Sequence, residues 1–174
     1  MLGKCGNVYT TIVPIDEQKV TCVNMFSYPS DSLYGLVYAF DVLINGMQVR
    51  TAPEGNKKTL HTSAAAADLL ADYKDTIKSL YEKYEKKVYD KNTGLIKERI
   101  VLSSAKDAVK RKNAFYDNVI YWKTKVLLDK LDIVHTSKEE LDNLKSRIIT
   151  TFWDENRGFF REEITSSSGY SSDW

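Results

Sequence analysis

The groups in this chain whose type and placement could do chemistry are carboxylates set in polar connections and at helix starts. Glu98 and Asp107 fall in one long polar connection, residues 89 to 113, with Lys106 and Arg111 beside Asp107. Asp31 and Asp117 each fall in the first turn of a strongly apolar helical segment. Carboxylates so placed can exchange protons with a substrate or accept hydrogen bonds from its hydroxyls. Each also has a plainer reading. An Asp at a helix start caps free backbone N–H groups or faces the positive end of the helix dipole, and Lys106, Lys110, Arg111 and Lys112 form an ordinary solvated basic run. Cys5 and Cys22 could pair across an N-terminal hairpin or remain as reduced thiols. His61 and His135 have no Cys or His partner at ligand spacing, so no metal site is expected. No glycine-rich phosphate loop, Ser-His-Asp set or nucleotide motif is present, and no cofactor is expected.

The elements that must position these carboxylates are read from apolar periodicity. Residues 6 to 28 mix β-branched and polar side chains, which predicts a hairpin or extended arm over 1–28. From Leu33 to Ile44 apolar residues leave almost no polar face, so this helix must be covered all round. Residues 63 to 88 carry a single stripe instead, through Leu69, Tyr73, Ile77, Leu80, Tyr84 and Val88. Broad burial returns from Phe115 to Ile133, with Phe115, Val119, Trp122 and Val126 in one row and Tyr116, Ile120, Leu127 and Leu131 in another. Residues 137 to 153 are again one-sided, and Ser137-Lys138-Glu139-Glu140 reads as a reciprocal capping box.

Helices covered on all sides thus alternate with helices that face water. The expectation is an all-α fold, part of an α/α toroid with inner helices over 31–45 and 114–132 and outer helices over 63–88 and 137–153. The long polar outer-to-inner connections would gather at one end of the scaffold, where sites are built. A repeat supports the same organisation. Tyr89-Asp90-Lys91-Asn92-Thr93-Gly94-Leu95-Ile96-Lys97-Glu98 matches Trp153-Asp154-Glu155-Asn156-Arg157-Gly158-Phe159-Phe160-Arg161-Glu162 at a constant offset of 64 (154 less 90). Each copy follows a helical segment, and its glycine reads as the stop of that helix.

With 174 residues, 43% of them hydrophobic, the chain can form one domain with a substantial core. Twenty-five basic against 24 acidic residues leave a net charge of +1, which offers nucleic acid or an anionic membrane no attraction. No stretch is long and apolar enough to span a bilayer, and Met1-Leu2-Gly3-Lys4-Cys5 is not a secretory leader, so a cytoplasmic location is expected. Eleven Tyr and three Trp serve either core packing or as platforms for a ligand's apolar faces.

Four motifs in order resemble the six-hairpin glycoside hydrolases, the class of trehalases, glucoamylases and mannosylglycerate hydrolases. Tyr28-Pro29-Ser30-Asp31-Ser32-Leu33-Tyr34 is similar to that class's aromatic-Pro-Arg-Asp opening of an inner helix, with Ser30 in place of Arg. Gly94-Leu95-Ile96-Lys97-Glu98 resembles its Gly-apolar-Trp-Glu stretch, with Ile96 in place of Trp. Ala114 to Trp122 looks like its next inner helix. Phe152 to Phe160, with Tyr170-Ser171-Ser172-Asp173, is similar to a later outer-helix exit. The resemblance covers residues 26 to 174 and implies that 29–174 is part of a longer toroid, so that further hairpins of its own domain are expected partners. It implies hydrolysis of an O-glycosidic bond in a small saccharide or glucan, inverting, with one carboxyl protonating the departing oxygen and another activating water. Ser104-Ala105-Lys106-Asp107 is similar to the class's Ser-Gly-x-Asp loop, which makes Asp107 the first choice for the general acid and Glu98 the second. Asp31, Tyr28, Lys106, Arg111, Tyr116 and Asp117 would hold the sugar, and the base would lie in a later hairpin. A non-catalytic helical repeat that binds a partner is the competing reading.

Overall fold

A computed structural model describes residues 11–15, 19–23, 30–46, 48–50, 57–59, 64–98, 100 and 113–164. Helices dominate: α1 Ser30–Asn45, α2 Ala64–Val88, α3 Phe115–Lys130 and α4 Lys138–Phe152. All four fall within two residues of the ranges expected from periodicity. The strands form short antiparallel pairs: β1 Thr11–Pro14 with β2 Val20–Val23, β3 Gln48–Arg50 with β4 Lys57–Thr59, β5 Tyr89–Asp90 with β6 Leu95–Ile96, and β7 Trp153–Asp154 with β8 Phe159–Phe160. The first pair occupies the expected arm, in register Ile12 to Cys22. The β3–β4 pair was not expected.

Cross-helix contacts fix the directions. Tyr116 near the start of α3 feels Asp31 and Tyr34 near the start of α1, and Lys130 at the end of α3 bonds Asp41 late in α1 at 2.7 Å. These two helices are therefore parallel. Lys74 in α2 meets Asp132, just past α3, at 2.7 Å, while Glu85, later in α2, meets Tyr121, earlier in α3. So α2 is antiparallel to α3. The same holds for α4, whose first turn reaches Lys125 through Glu140 and whose last residue, Phe152, packs on Phe115 at 5.5 Å between ring centres. All the starts of α1 and α3 and all the ends of α2 and α4 lie at one end of the molecule, with the β5–β6 and β7–β8 hairpins.

Several burial expectations need correction. On α2 the core stripe runs through Ala66, Leu70, Ile77, Tyr81, Tyr84 and Val88, while Leu69 and Tyr73 face solvent. Lys74 stands within this stripe and reaches out to Asp132, so the sequence shows a polar interruption and the apolar pattern jumps to the neighbouring row. On α3 the deepest residues include Asn118, Tyr121, Thr124 and Leu128, none of them in the two rows expected, while Tyr116 from one of those rows is exposed. On α1 the buried row is Leu33, Val37 and Phe40, but the helix is not covered all round: Tyr38 is 42% and Leu43 50% exposed.

The two repeat copies adopt the same hairpin. Asp90 and Asp154 each accept a hydrogen bond from the backbone N–H of the Asn two residues on, at 2.9 and 3.1 Å. Gly94 and Gly158 each donate to the Asp carbonyl at 2.8 Å, with φ of 68° and 71°, a conformation that glycine adopts without a Cβ clash. Lys97 N–H returns to Val88 and Arg161 N–H to Phe152. Their side chains go on to the carbonyls of Lys87 and Thr151 at 2.9 and 3.3 Å, satisfying acceptors left open at each helix end. The glycine is therefore not the helix stop. The helix has ended six residues earlier, and the glycine closes a four-residue hairpin turn.

Candidate functional site

At the end where α1 and α3 begin, the structure brings Asp31, Tyr116 and Asp117 together with Tyr34. Asp117 is buried, Asp31 is half-buried and Tyr116 is exposed. Burial pushes the Tyr116 hydroxyl above its ordinary value, and the carboxylates of Asp31 and Asp117 and the hydroxyl of Tyr34 push it further. A phenol so placed stays protonated at neutral pH and remains a hydrogen-bond donor. Ala114 holds the N-cap position of α3 and offers no side-chain cap, so Asp117 is not the cap. The Phe115 N–H donates instead to Glu162 O at 2.8 Å, on the strand-like exit from β8. Asp31 and Asp117 therefore sit near two parallel helix N-termini, where a carboxylate and the positive end of the helix dipole attract one another. The rim carries a half-buried and a buried carboxylate, a phenol donor and an aromatic face. That combination suits a polyhydroxylated ligand.

The remaining expected site residues divide in two. Glu98 follows β6 at the same end, on an exposed turn. Tyr28, Lys106, Asp107 and Arg111 lie outside the described residues, as do Cys5 and His61. Trp122, one of the possible sugar platforms, is half-buried on the side of α3, with Lys123 Nζ 4.8 Å and Lys145 Nζ 5.7 Å from its ring centre. It packs within the fold and not at the rim.

A second polar assembly lies in the groove between α2 and α4, floored by α3. Glu85 accepts from Tyr81 Oη at 2.5 Å, Tyr121 Oη at 2.6 Å and Lys125 Nζ at 3.3 Å. Lys125 also donates to Glu140 at 2.6 Å. Burial works to raise the Glu85 carboxyl, but the hydrogen bonds from Tyr121 and Tyr81 and the charge of Lys125 outweigh it and hold it below the usual value. Burial, with the Glu85 carboxylate beside them, drives both tyrosine hydroxyls far upward. Two adjoining pockets, of 380 and 640 Å³, open over this network and share Tyr89, Lys91, Lys125 and Glu140. Glu140 also explains why the capping box is only half formed. Ser137 Oγ accepts from Glu140 N–H at 3.1 Å, but the carboxylate that should reach back is committed to Lys125.

Sequence reasoning missed this network because Glu85 sits among Lys83, Lys86 and Lys87 and passes for solvated. The spacing of Tyr81 with Glu85, and of Tyr121 with Lys125, each four apart on a helix, was the available signal. It also missed Asn118. This fully buried side chain accepts from Ile96 N–H at 2.9 Å and donates to Asn113 Oδ1 at 2.9 Å and Ala114 O at 2.8 Å. It is the pin between the first hairpin and α3.

Among the described residues, no group of three or more His, Cys, Asp or Glu could hold a metal ion, and no helix is long and apolar enough to cross a membrane. Compared with known protein families, curated proteins and solved structures, the chain matches none.

Proposed function

We propose that this chain belongs to an α/α-toroid glycosidase-like domain that binds a small saccharide or glucan at the rim where α1 and α3 begin. The observation that carries the reading is that Asp31 and Asp117, from the first turns of two parallel helices, both lie close enough to Tyr116 to act on its hydroxyl electrostatically. The alternation of α1 and α3 with the antiparallel α2 and α4 supports the toroid. Asp31 and Asp117 accept sugar hydroxyls, and Tyr116 donates to one while its ring covers an apolar sugar face. Asp107 protonates the departing glycosidic oxygen as a second carboxylate draws a proton from the attacking water, with inversion at the anomeric carbon.

Binding and catalysis are tested separately. Titration of the chain with glucose, trehalose and maltooligosaccharides, followed by amide and tyrosine NMR shifts, should perturb Tyr116 and the first turns of α1 and α3. Asp117→Asn and Tyr116→Phe should each weaken that response about tenfold, the loss of one charge-assisted or polar contact of about 1.4 kcal/mol. No saccharide response at the rim, or an undiminished one in Asp117→Asn, would end the binding assignment. For catalysis, in a longer protein that carries the later hairpin with the base, Asp107→Asn should abolish hydrolysis of a natural disaccharide yet spare an aryl glycoside whose leaving group needs no proton; the chain by itself, without that base, should be inactive. Full activity of Asp107→Asn on the natural sugar would transfer the acid role to Glu98. Saccharide binding without any turnover by that longer protein would favour the non-catalytic scaffold.

A further inference from the structure

The groove between α2 and α4 lies apart from the rim assigned to the saccharide, and its central carboxylate is only half used. Three donors, the hydroxyls of Tyr81 and Tyr121 and the ammonium of Lys125, converge on one oxygen of Glu85, Oε1. The other oxygen, Oε2, has no hydrogen-bond partner among the described residues and is not sealed from solvent where Glu85 lines the larger pocket. A half-buried carboxylate with one oxygen saturated and one unused can take a charge-assisted hydrogen bond from outside the fold. The local charge agrees. Glu85 and Glu140 share the single ammonium of Lys125, which leaves one negative charge over, and Glu82 on the α2 wall adds another.

The adjoining pocket has the opposite character. Lys91 on the first hairpin and Arg147 on α4 both line it and are exposed. Arg147 gives Nη1 to Thr93 O at 3.0 Å, and Lys91 makes no ion pair among the described residues. Glu139 stands opposite them, while Glu140 is already matched to Lys125. The side-chain amides of Asn92 and Asn143 line the same pocket, and each offers both a donor and an acceptor, the pair that a peptide group needs. A purely cationic ligand would meet Lys86 and Lys91 in this groove, and a purely anionic one would meet Glu82, Glu85 and Glu139. A ligand carrying both signs meets neither obstacle. The two charge centres are also well separated: Glu140 and Arg147 are seven positions apart on α4 (147 less 140), a rise of about 10 Å.

We propose that this groove binds a short zwitterionic peptide, its terminal ammonium on Glu85 Oε2 and its terminal carboxylate between Lys91 and Arg147. An extended chain advances about 3.3–3.6 Å per residue, so about three residues span the two charge centres, whereas a single amino acid holds its charges too close together. Asn92 and Asn143 take the peptide groups between the ends. Tyr89, half-buried and stacked on Tyr121 at 5.4 Å, lines both pockets and lies along the middle of the peptide.

Trialanine is the probe, because its small side chains leave the two charged ends to decide binding. Titrated into the full chain at millimolar concentration and neutral pH, it should shift the backbone amide NMR signals of Lys91, Asn92 and Asn143 and leave those of Tyr116 at the rim unmoved. The N-acetylated peptide and the C-terminal amide each lack one charge and should bind about tenfold more weakly, as should free alanine. Lys91→Gln changes an exposed side chain, so it keeps the fold and should weaken trialanine about tenfold. Glu85→Gln keeps an acceptor for Tyr81 and Tyr121, and it should erase the preference for the free ammonium over the acetylated end, which a merely structural role would leave intact. No response of the groove amides to trialanine would overturn the proposal. So would an acetylated peptide that binds as tightly as the free one, or undiminished binding in Lys91→Gln, whether or not Glu85→Gln folds.

Discussion

Gly94 and Gly158 form a matched pair in which one added methyl group measures a tertiary contact against its own control. Both glycines have the same left-handed backbone, φ 68° and 71°, in the same hairpin turn. Gly158→Ala adds a Cβ into open space, so its cost is the backbone alone. A left-handed alanine costs about 1–2 kcal/mol, offset by about 0.4–1 kcal/mol from the reduced freedom of the unfolded chain. The net is a destabilisation of about 1 kcal/mol, or a fall of about 2–4 °C in melting temperature for a chain of this size. Gly94→Ala carries the same backbone cost and one more. Its Cβ would lie 2.7 Å from Arg147 Nε and 2.9 Å from Cδ, so the side chain must swing away and lose its 3.0 Å bond to Thr93 O. The backbone need not move, because Arg147 is long and exposed. The added cost is therefore bounded by that hydrogen bond, about 0.5–1.5 kcal/mol. Urea unfolding of both variants, each with and without Arg147→Ala, closes the cycle. Gly94→Ala should be the worse variant by about 1 kcal/mol when Arg147 is present, and the two should match once it is removed. A gap that persists in the Arg147→Ala background would refute this account of the clash, and equal costs in the wild-type background would refute the asymmetry between the hairpins.

Other expectations follow from the buried polar groups. Asn118→Ala should strand Ile96 N–H and Asn113 Oδ1, costing about 2–6 kcal/mol at about 1–3 per buried orphan; Asn118→Asp keeps the acceptor for Ile96 but sets a second oxygen against Asn113 Oδ1 and Ala114 O, so it should also destabilise the fold in the same urea titration. Glu85 has a carboxyl held below its unfolded value, so it contributes stability that is complete above the unfolded carboxylate range and lost as pH falls through the folded value. Glu85→Gln should therefore flatten the acid limb of a melting-temperature profile, and an unchanged slope would show that the network does not set it. Lys125→Met should leave Glu85 and Glu140 without their shared cation, and its destabilisation should shrink on acidification, as the Glu85 carboxyl becomes neutral.

How much was legible differs from element to element. The ends of the four helices were readable because caps, apolar periodicity and the Asp-x-Asn-x-Gly turn act within a few residues of chain. Ser137 capping α4 and the twin hairpins after α2 and α4 are local hydrogen bonding, and they form as the sequence indicates. Hydrophobicity alone likewise placed Leu144, Ile148 and Phe152 inside. Of the proposed rim, the acidic first turns of α1 and α3 were visible, as any carboxylate at a helix start is.

What the chain alone could not decide is which neighbours share a polar group. Glu85 and Lys125 are 40 residues apart, and only the tertiary approach of α2 to α3 turns two apparently solvated charges into a part-buried pair. Asn118 and Ile96 meet only because α3 lies along the first hairpin, and that contact makes a polar side chain a core residue. Packing also decided the fate of identical local motifs: in the first hairpin Ile96 is fully buried under α3, whereas in the second Phe160 stacks on Phe115 yet stays 37% exposed among the described residues. Periodicity reports the faces a helix has. Only the tertiary arrangement sets how many of those faces are filled.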